Sequence, residues 1–165
     1  MSDVSKTSRY FAQTVTIVTA SSKGKENAMP ATWCSPVSFN PTLILVNISP
    51  GRFTHDMIVS SGEFGLNLLA EDQMQISKTL GSLSGRDTDK FSAFKIETFA
   101  GERIKAQLIK GCVANMECKL EHNFTAGDHS ILVGRVLKLH SIESKKPLIL
   151  HGHKYYRIGD IIDVF

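Results

Sequence analysis

Residues 112–142 read CVANMECKLEHNFTAGDHSILVGRVLKLHSI, and this stretch decides the fold class. Polar and apolar side chains alternate over residues 112–120, as they do in a half-buried β-strand. A second strand is predicted over residues 131–142, and the turn-forming residues 125–128 lie between the two. The stretch therefore predicts an antiparallel hairpin. Its first strand has an apolar face of Cys112, Ala114, Met116, Cys118 and Leu120, and an opposite face of Val113, Asn115, Glu117 and Lys119.

The rest of the chain adds strands and short helices. Residues 13–20 are rich in Thr, Val and Ile and end at the turn-like residues 21–25, and another apolar run covers residues 43–48. Helices are predicted after Thr54, which can cap the residues that follow, and over residues 71–80. Several strands, few helices and no βαβ alternation predict a mainly β, antiparallel barrel. The sequence has no Rossmann fingerprint and no Walker A loop, which excludes those two nucleotide sites.

Length, charge and cysteine content bound the class of protein. A chain of 165 residues fits a single domain over residues 1–165. The 19 basic and 16 acidic residues give a net charge of +3 and are mixed along the chain, so we expect no nucleic-acid partner. No run of about 18 apolar residues and no leader sequence is present, so we expect neither membrane insertion nor secretion. Three cysteines without a CxxC pair fit reduced thiols, which favours a cytoplasmic protein.

The first candidate for chemistry is residues 27–41, NAMPATWCSPVSFNP. Pro30, Pro36 and Pro41 argue against a continuous β-ladder, so we expect a loop here. The segment contains Trp33, the only tryptophan, and small residues whose backbone a flat ligand can approach closely. Two interpretations remain open from the residues alone, a structural loop whose tryptophan fills the core and a binding loop for a flat ligand.

The second candidate is residues 49–56, SPGRFTHD, at the start of a predicted helix. The free N–H groups of a first helical turn, the Thr54 hydroxyl and the Arg52 guanidinium can together hold a phosphate. The alternative is ordinary capping, with Thr54 as the N-cap and Asp56 satisfying the helix dipole. The spacing alone leaves both interpretations open.

Cysteines and histidines outside these segments have simpler interpretations. Cys112 and Cys118 lie on the apolar face of the predicted strand, so we expect core thiols rather than reactive ones. His151 and His153 lie two residues apart, but no third ligand has suitable spacing, so we expect no metal site. His129, taken by itself, is a turn residue.

Together, residues 27–41, 49–58 and 61–67 resemble the flavin reductase-like family of FMN-binding split barrels, and its flavoredoxin-type members above all. The resemblance continues in order along the chain and covers most of it. Further matching pieces are residues 84–85, 89–91, 127–134, 147–148 and 151–159.

The resemblance implies an antiparallel split β-barrel with a few short flanking helices, which forms a homodimer and binds FMN at the subunit interface. By similarity, the isoalloxazine ring and ribityl chain would lie against residues 27–35. The flavin-binding residues implied there are Asn27, Ala28, Met29, Ala31, Thr32, Trp33, Cys34 and Ser35. Those implied at the phosphate are Asn47, Ser49, Arg52 and Thr54, with Phe53 beside them, and His153 would approach the flavin edge.

The resemblance also implies an activity, the NAD(P)H-dependent reduction of flavin. Hydride would pass directly from nicotinamide C4 to flavin N5, so the protein mainly orients the two rings and excludes water. His129 corresponds to the histidine of the family's Gly-Asp-His turn, and its expected catalytic role is to position the nicotinamide. Electrons would then pass to a small-molecule or protein acceptor. The alternative is a non-catalytic FMN electron carrier that a separate reductase reduces, and the sequence does not distinguish NADH from NADPH.

Overall fold

A computed structural model describes residues 3–142 and 144–163. A 3-10 helix, Asp3–Tyr10, precedes the first strand. The strands and helices that follow are, in chain order, β1 (Gln13–Thr14), β2 (Thr16–Ser22), β3 (Lys25–Ala31), β4 (Cys34–Phe39), β5 (Thr42–Ile48), α1 (Phe53–Ser61), β6 (Glu63–Leu68), α2 (Met74–Ser82), α3 (Lys90–Phe94), β7 (Thr98–Ala100), β8 (Gln107–Ile109), β9 (Ala114–Ala126), β10 (His129–Ser141), β11 (Ile149–His151) and β12 (Lys154–Tyr156).

The strands form one large sheet and two small ones. Seven strands pair in the order β3-β2-β6-β9-β10-β5-β4, while β1, β11 and β12 form a three-stranded sheet and β7 pairs with β8. Within the described residues every paired strand runs antiparallel to its neighbour. The prediction of a mainly β, antiparallel fold with few helices is therefore confirmed.

The predicted hairpin is formed by β9 and β10, the longest strands of the sheet. Ala126 pairs with His129 across the turn, where Gly127 adopts a left-handed φ of 63°. The first strand begins at Ala114 rather than at Cys112, which lies buried just before it. The pairing of β9 with β10 contains two register shifts, and one of them lies next to Gly134. Irregularities of this kind increase the local twist of a hairpin. On their other sides, β9 pairs with β6 and β10 pairs with β5.

The main core lies between the large sheet and α1, which packs against β2. A second core lies under α2, where Leu80 packs with Ile17 and Cys112. Both Cys112 and Cys118 are buried, as predicted, and burial raises the pKa of Cys112 to about 12 and that of Cys118 further. These thiols therefore remain protonated and serve as core residues.

The prediction of a loop over residues 27–41 is wrong. The segment forms β3 and β4, with only residues 32–33 between them. The reason is their position, because β3 and β4 are the two edges of the seven-stranded sheet. An edge strand pairs on one side alone, so the missing N–H of Pro30 or Pro36 is tolerated there.

The second face of β9 is also buried, because residues 101–104 and β8 cover it. Asn115 donates from its amide to Asn67 Oδ1 at 2.7 Å, and Glu117 is fully buried. The Glu117 carboxylate pairs with His140 Nε2 at 2.7 Å and accepts from the backbone N–H groups of Glu102 at 3.1 Å, Arg103 at 2.6 Å and Ile104 at 3.1 Å. Burial acts to raise the pKa of Glu117, but these hydrogen bonds outweigh it and hold the pKa below its usual range.

Two negative findings concern the described residues alone. None of their helices combines the length and apolar character needed to cross a membrane. Within the same ranges, no His, Cys, Asp and Glu side chains gather in a group of three or more that fits a metal ion.

Candidate active site

The first part of the site is a cavity of about 390 Å³ between β3, the start of α1 and the loop after α2, which we call the α1 cavity. It gathers predicted residues that are far apart in sequence. These are Asn27 and Met29 from β3 and Arg52, Phe53 and Thr54 from the helix start.

Asn27 lies at the base of the α1 cavity and is only 3% exposed. Its Nδ2 donates to the Thr54 hydroxyl at 2.8 Å, while its Oδ1 is buried and has no hydrogen-bond partner. A Cβ on Gly85 would lie 2.0 Å from that Oδ1, so glycine is required at this close approach. An unsatisfied buried acceptor costs about 1–3 kcal/mol, and such a group at the edge of a cavity fits a donor on a ligand.

Thr54 does not cap the helix, so that expectation is wrong. The N-cap position of α1 is Arg52, which makes no side-chain capping bond, and Thr54 lies buried within the first turn. The reason is the bond to Asn27, which draws the threonine hydroxyl toward β3. No side chain caps α1, and the His55 N–H donates to the Arg52 carbonyl oxygen at 3.0 Å. The first-turn N–H donors left for an anion at the cavity are those of Phe53 and Thr54.

Cations surround this helix start. Lys90 is 4% exposed and its Nζ donates to the backbone oxygens of Ala28 at 2.9 Å and Leu80 at 2.7 Å. Burial is the main cause that lowers the pKa of Lys90, and the charge of Arg52 lowers it further. Arg86 pairs with Asp56 at 2.9 Å and lies over the Phe53 ring.

The charge of the lining decides which ligand fits the α1 cavity. Among the described residues that line it, Arg52, Arg86 and Lys90 are basic and none is acidic. A phosphate dianion matches such a lining, because guanidinium and helix N–H groups both donate to anionic oxygens. Together with the open Asn27 acceptor, these residues fit the phosphate and a neighbouring hydroxyl of FMN.

A second cavity, of about 640 Å³, lies beside the turn between β3 and β4, and we call it the Trp33 cavity. Trp33 is 39% exposed, and its ring lies 4.9 Å from the His129 ring, centroid to centroid, at an interplanar angle of 39°. His129 Nδ1 pairs with the Asp128 carboxylate at 2.7 Å, and this bond lowers the pKa of Asp128. The predicted positioning residue thus lies against the predicted ring-binding tryptophan. Besides Trp33, the predicted residues that line the cavity are Thr32, Cys34, Ser35 and Asn47.

A smaller cavity of about 350 Å³ lies against β3 between the two parts of the site. It shares Pro30 with the α1 cavity and Thr32 with the Trp33 cavity. Ala31, another predicted residue, lines this smaller cavity. The three cavities therefore lie side by side along β3, from Trp33 to Arg52.

The comparisons with known proteins bear on this geometry. The family model described as "Flavin reductase like domain" matches residues 7–159. The chain belongs to this family. The NADH-dependent FMN reductase AsuE2 of Streptomyces nodosus subsp. asukaensis is 31% identical over 148 residues, which are 88% of this chain and 78% of the relative.

Solved structures agree with this family. BorF, the flavin reductase component of a bacterial two-component tryptophan halogenase, is 29% identical with a TM-score of 0.85, over 96% of this chain and 98% of BorF. The NADH:FAD oxidoreductase SgcE6 of Streptomyces globisporus has a TM-score of 0.89 over 95% of this chain and 92% of SgcE6, but at 23% identity it shows the fold alone. The predicted family and the predicted class of enzyme, an oxidoreductase that works with flavin and NADH, are confirmed.

Several predicted residues take other places in this flavin reductase-like domain. Asn47 was assigned to the phosphate, but it lines the Trp33 cavity, where its Oδ1 is buried without a partner. Ser49 accepts from the Arg52 N–H through its backbone oxygen and lines neither cavity. Ala28 packs into the second core and reaches the site only through its bond from Lys90. His153 lies at the exposed tip of the β11–β12 turn and lines none of these cavities.

Cys34 packs beside the flavin reductase-like site as a neutral thiol. Its Sγ lies 3.5 Å from the Thr16 hydroxyl, and burial raises its pKa. A thiol with a raised pKa is a weak nucleophile, so the geometry favours packing over reactivity.

Sequence reasoning missed the basic residues Arg86 and Lys90. Arg86 directly follows the matched piece at residues 84–85, and Lys90 lies inside the piece at residues 89–91, yet neither piece indicated a cation at the phosphate. The usable signal was Gly85 itself, because a glycine allows a close approach to the backbone.

Proposed function

We propose that this chain binds FMN along β3 and reduces it with NADH or NADPH by direct hydride transfer. The observation that carries the proposal is the row of three neighbouring cavities along β3, which share the lining residues Pro30 and Thr32. Cations and an open helix start lie at one end of this row, and the Trp33–His129 pair lies at the other. When bound, FMN supplies the redox chemistry, since its N5 accepts a hydride from nicotinamide C4.

The α1 cavity would hold the phosphate. Arg52 is exposed at the helix start and can reach an anionic oxygen without displacing another partner, because no described residue pairs with its guanidinium. Lys90 supports this end from below with a positive charge that its two carbonyl partners fix in place. Asn27 Oδ1 would accept from a ribityl hydroxyl, which removes the cost of leaving this atom unsatisfied.

The Trp33 cavity would orient the rings. The half-exposed Trp33 offers an aromatic surface, and the Asp128 carboxylate fixes the orientation of the His129 ring beside it. His129 would contact the nicotinamide and position it, while Trp33 and Cys34 exclude water from the same surface. No proton transfer by His129 is part of this proposal.

We further propose a split barrel that completes its site as a homodimer. The strands β3 and β4 are the two edges of the large sheet, and only residues 32–33 separate them in the chain. Two edges that start from the same turn are what a split barrel would have on either side of its opening. The large sheet carries exposed apolar side chains, and one of them, Phe39 on the edge strand β4, is 96% exposed. Apolar groups of this size support an interface with a second copy. The other exposed side chains concerned are Val37 on β4 and Phe124 on β9.

The reduced flavin would serve a separate acceptor, either a small molecule or a protein. BorF, whose name gives it as the reductase component of a two-component halogenase, supports an acceptor of the second kind. Reduction at an open site on the protein surface is consistent with the release of flavin to such an acceptor.

Anaerobic titration of the FMN-loaded protein with NADH, and separately with NADPH, tests the proposal. We expect at least one dinucleotide to bleach the flavin absorbance, and catalytic turnover when free FMN is added in excess. Binding of FMN without bleaching by either dinucleotide would overturn the reductase and leave the electron-carrier alternative. Failure to bind FMN would overturn both.

A further inference from the structure

A fourth cavity borders the α1 cavity and has the opposite charge. It measures about 410 Å³ and shares Gly85 and Arg86 with the α1 cavity. We call it the acidic cavity, because three carboxylates line it. They belong to Glu26, Asp87 and Asp89.

The basic residues of this lining do not offset its carboxylates. Lys25 and Arg86 are the cations among the described residues that line the acidic cavity. Arg86 is already paired with Asp56, at 2.9 Å between guanidinium nitrogen and carboxylate oxygen. Even with Arg86 counted as a full charge, the three carboxylates exceed the two cations, so this lining is negative. The lining of the adjacent α1 cavity contains no carboxylate and is positive.

Two of the carboxylates lie close enough to repel each other. Burial first, and the charge of Asp89 second, raise the pKa of Glu26, against a hydrogen bond from Gln107 that lowers it. Asp89 caps α3 by accepting from the N–H groups of Phe91 and Ser92, and the Ser92 bonds lower its pKa. Asp89 thus stays ionised, and both of its oxygens already have partners.

This arrangement matters for the choice of flavin. FMN ends at one phosphate, whereas FAD continues from that phosphate into a second phosphate and an adenosine. From the helix start, the ring and ribityl chain would take the direction of β3, and the acidic cavity lies on the other side, beyond Gly85 and Arg86. A second phosphate entering there would meet like charges, which is a common way to reject a competing ligand.

We propose that the acidic cavity selects FMN against FAD by repelling the adenosine diphosphate half of FAD. This inference rests on the proposed flavin site. Family membership does not decide the question, because one relative is named as an FMN reductase and another as an FAD reductase.

Equilibrium titrations with FMN and FAD test the inference, with quenching of flavin fluorescence as the measurement. The test variant combines Glu26→Gln and Asp87→Asn and leaves the α3 cap Asp89 unchanged. Glu97→Gln is the matched control, since this exposed carboxylate lines neither cavity. We expect the native protein to bind FMN more tightly than FAD. The double variant should narrow the FAD-to-FMN ratio of Kd by roughly three- to ten-fold through tighter FAD binding, and the control should leave it unchanged.

A second measurement uses the native protein alone. Raising the salt concentration screens the carboxylates, so the ratio should narrow toward one as ionic strength rises. Equal affinities for FMN and FAD in the native protein, or an unchanged ratio in a folded double variant, would overturn the inference and leave the proposed function in place. A protein that binds neither flavin would overturn both.

Discussion

Glu117 and Asn27 are buried to almost the same extent, but the carboxylate of Glu117 has hydrogen-bond partners and the amide oxygen of Asn27 has none. The Glu117 carboxylate is 0% exposed and receives hydrogen bonds from the 101–104 loop and from His140. Asn27 is 3% exposed and leaves its Oδ1 without any partner. A buried charge is tolerated because its surroundings satisfy it completely, whereas a neutral acceptor can stay open at smaller cost.

The difference separates what holds the fold from what is kept for a ligand. Among the described residues, the other buried side-chain atoms without a partner are Asn47 Oδ1 and His55 Nδ1. Asn27 lines the α1 cavity and Asn47 lines the Trp33 cavity, whereas His55, on α1, lines neither. The polar region around Glu117, on the opposite face of β9, contains none of them. Unsatisfied polar atoms in this molecule therefore mark the site better than burial alone does.

The largest effect is expected at Glu117. Glu117→Gln removes the charge that three backbone N–H groups and His140 face, so we expect a loss of about 3–5 kcal/mol in the free energy of unfolding. Because the pKa of Glu117 is lowered in the folded protein, the stability it contributes is fully present above the usual carboxyl pKa. That contribution is lost as the pH falls through the lowered pKa. Urea unfolding between pH 7 and pH 3 measures both effects.

Glu102→Gln is the control for Glu117, because the Glu102 carboxylate is exposed and, among the described residues, pairs with Lys138 alone. We expect it to change stability by less than about 1 kcal/mol. FMN affinity should stay the same in both variants. An equal loss of stability in the two variants would show that the buried network has no special role.

The second effect concerns binding rather than folding. Arg52→Ala should weaken FMN binding by about 1.5–3 kcal/mol, the range for a hydrogen bond to a charged group. Riboflavin lacks the phosphate, so its affinity should not change, and Arg103→Ala serves as a control at an exposed arginine outside the α1 cavity. Isothermal titration with both ligands measures the effect. If the affinities for FMN and riboflavin fall equally, Arg52 does not bind the phosphate.

Local patterns explain which parts of this fold were predictable. The β9–β10 hairpin follows from alternation and from turn residues that are adjacent in sequence. The strands β3 and β4 were missed because their tolerance of proline depends on being sheet edges, and edge position is set by pairing with distant strands. The burial of Glu117 likewise depends on a loop that no local pattern connects to it.

The site was predictable where the residues that form it are close together in the sequence. Arg52 at a helix start made an anion site one of two open interpretations, and the structure excludes the other, because α1 begins at Phe53 and Thr54 does not cap it. Lys90 and Arg86 come from α3 and from the loop before it, so their arrival at the same cavity is a property of the tertiary fold. The resemblance gave the family correctly, and its assignment of residues to the flavin stays a prediction. The packing places Asn47 in the same cavity lining as Trp33 rather than with Arg52.

A smaller effect is expected at the glycine that faces Asn27. Gly85→Ala places a Cβ at 2.0 Å from Asn27 Oδ1, so the amide must move and FMN affinity should fall by about 1–2 kcal/mol. Gly51→Ala is a close control, since Gly51 lines the same cavity and a Cβ there meets nothing within 4 Å. Affinities that fall equally in both variants would contradict a specific role for the Asn27 amide.

The smallest effect, and the most direct probe of the contrast with Glu117, is expected for Asn27→Ala. The variant loses an acceptor for a ribityl hydroxyl, which FMN and riboflavin share, so both affinities should fall by about 0.5–1.5 kcal/mol. Stability should change little, because the lost bond to Thr54 is offset by removal of the unsatisfied Oδ1. Thermal unfolding and titration with both flavins measure the two quantities. If stability falls as it does at Glu117 while flavin affinity holds, Asn27 serves the fold, and its open oxygen does not mark the site.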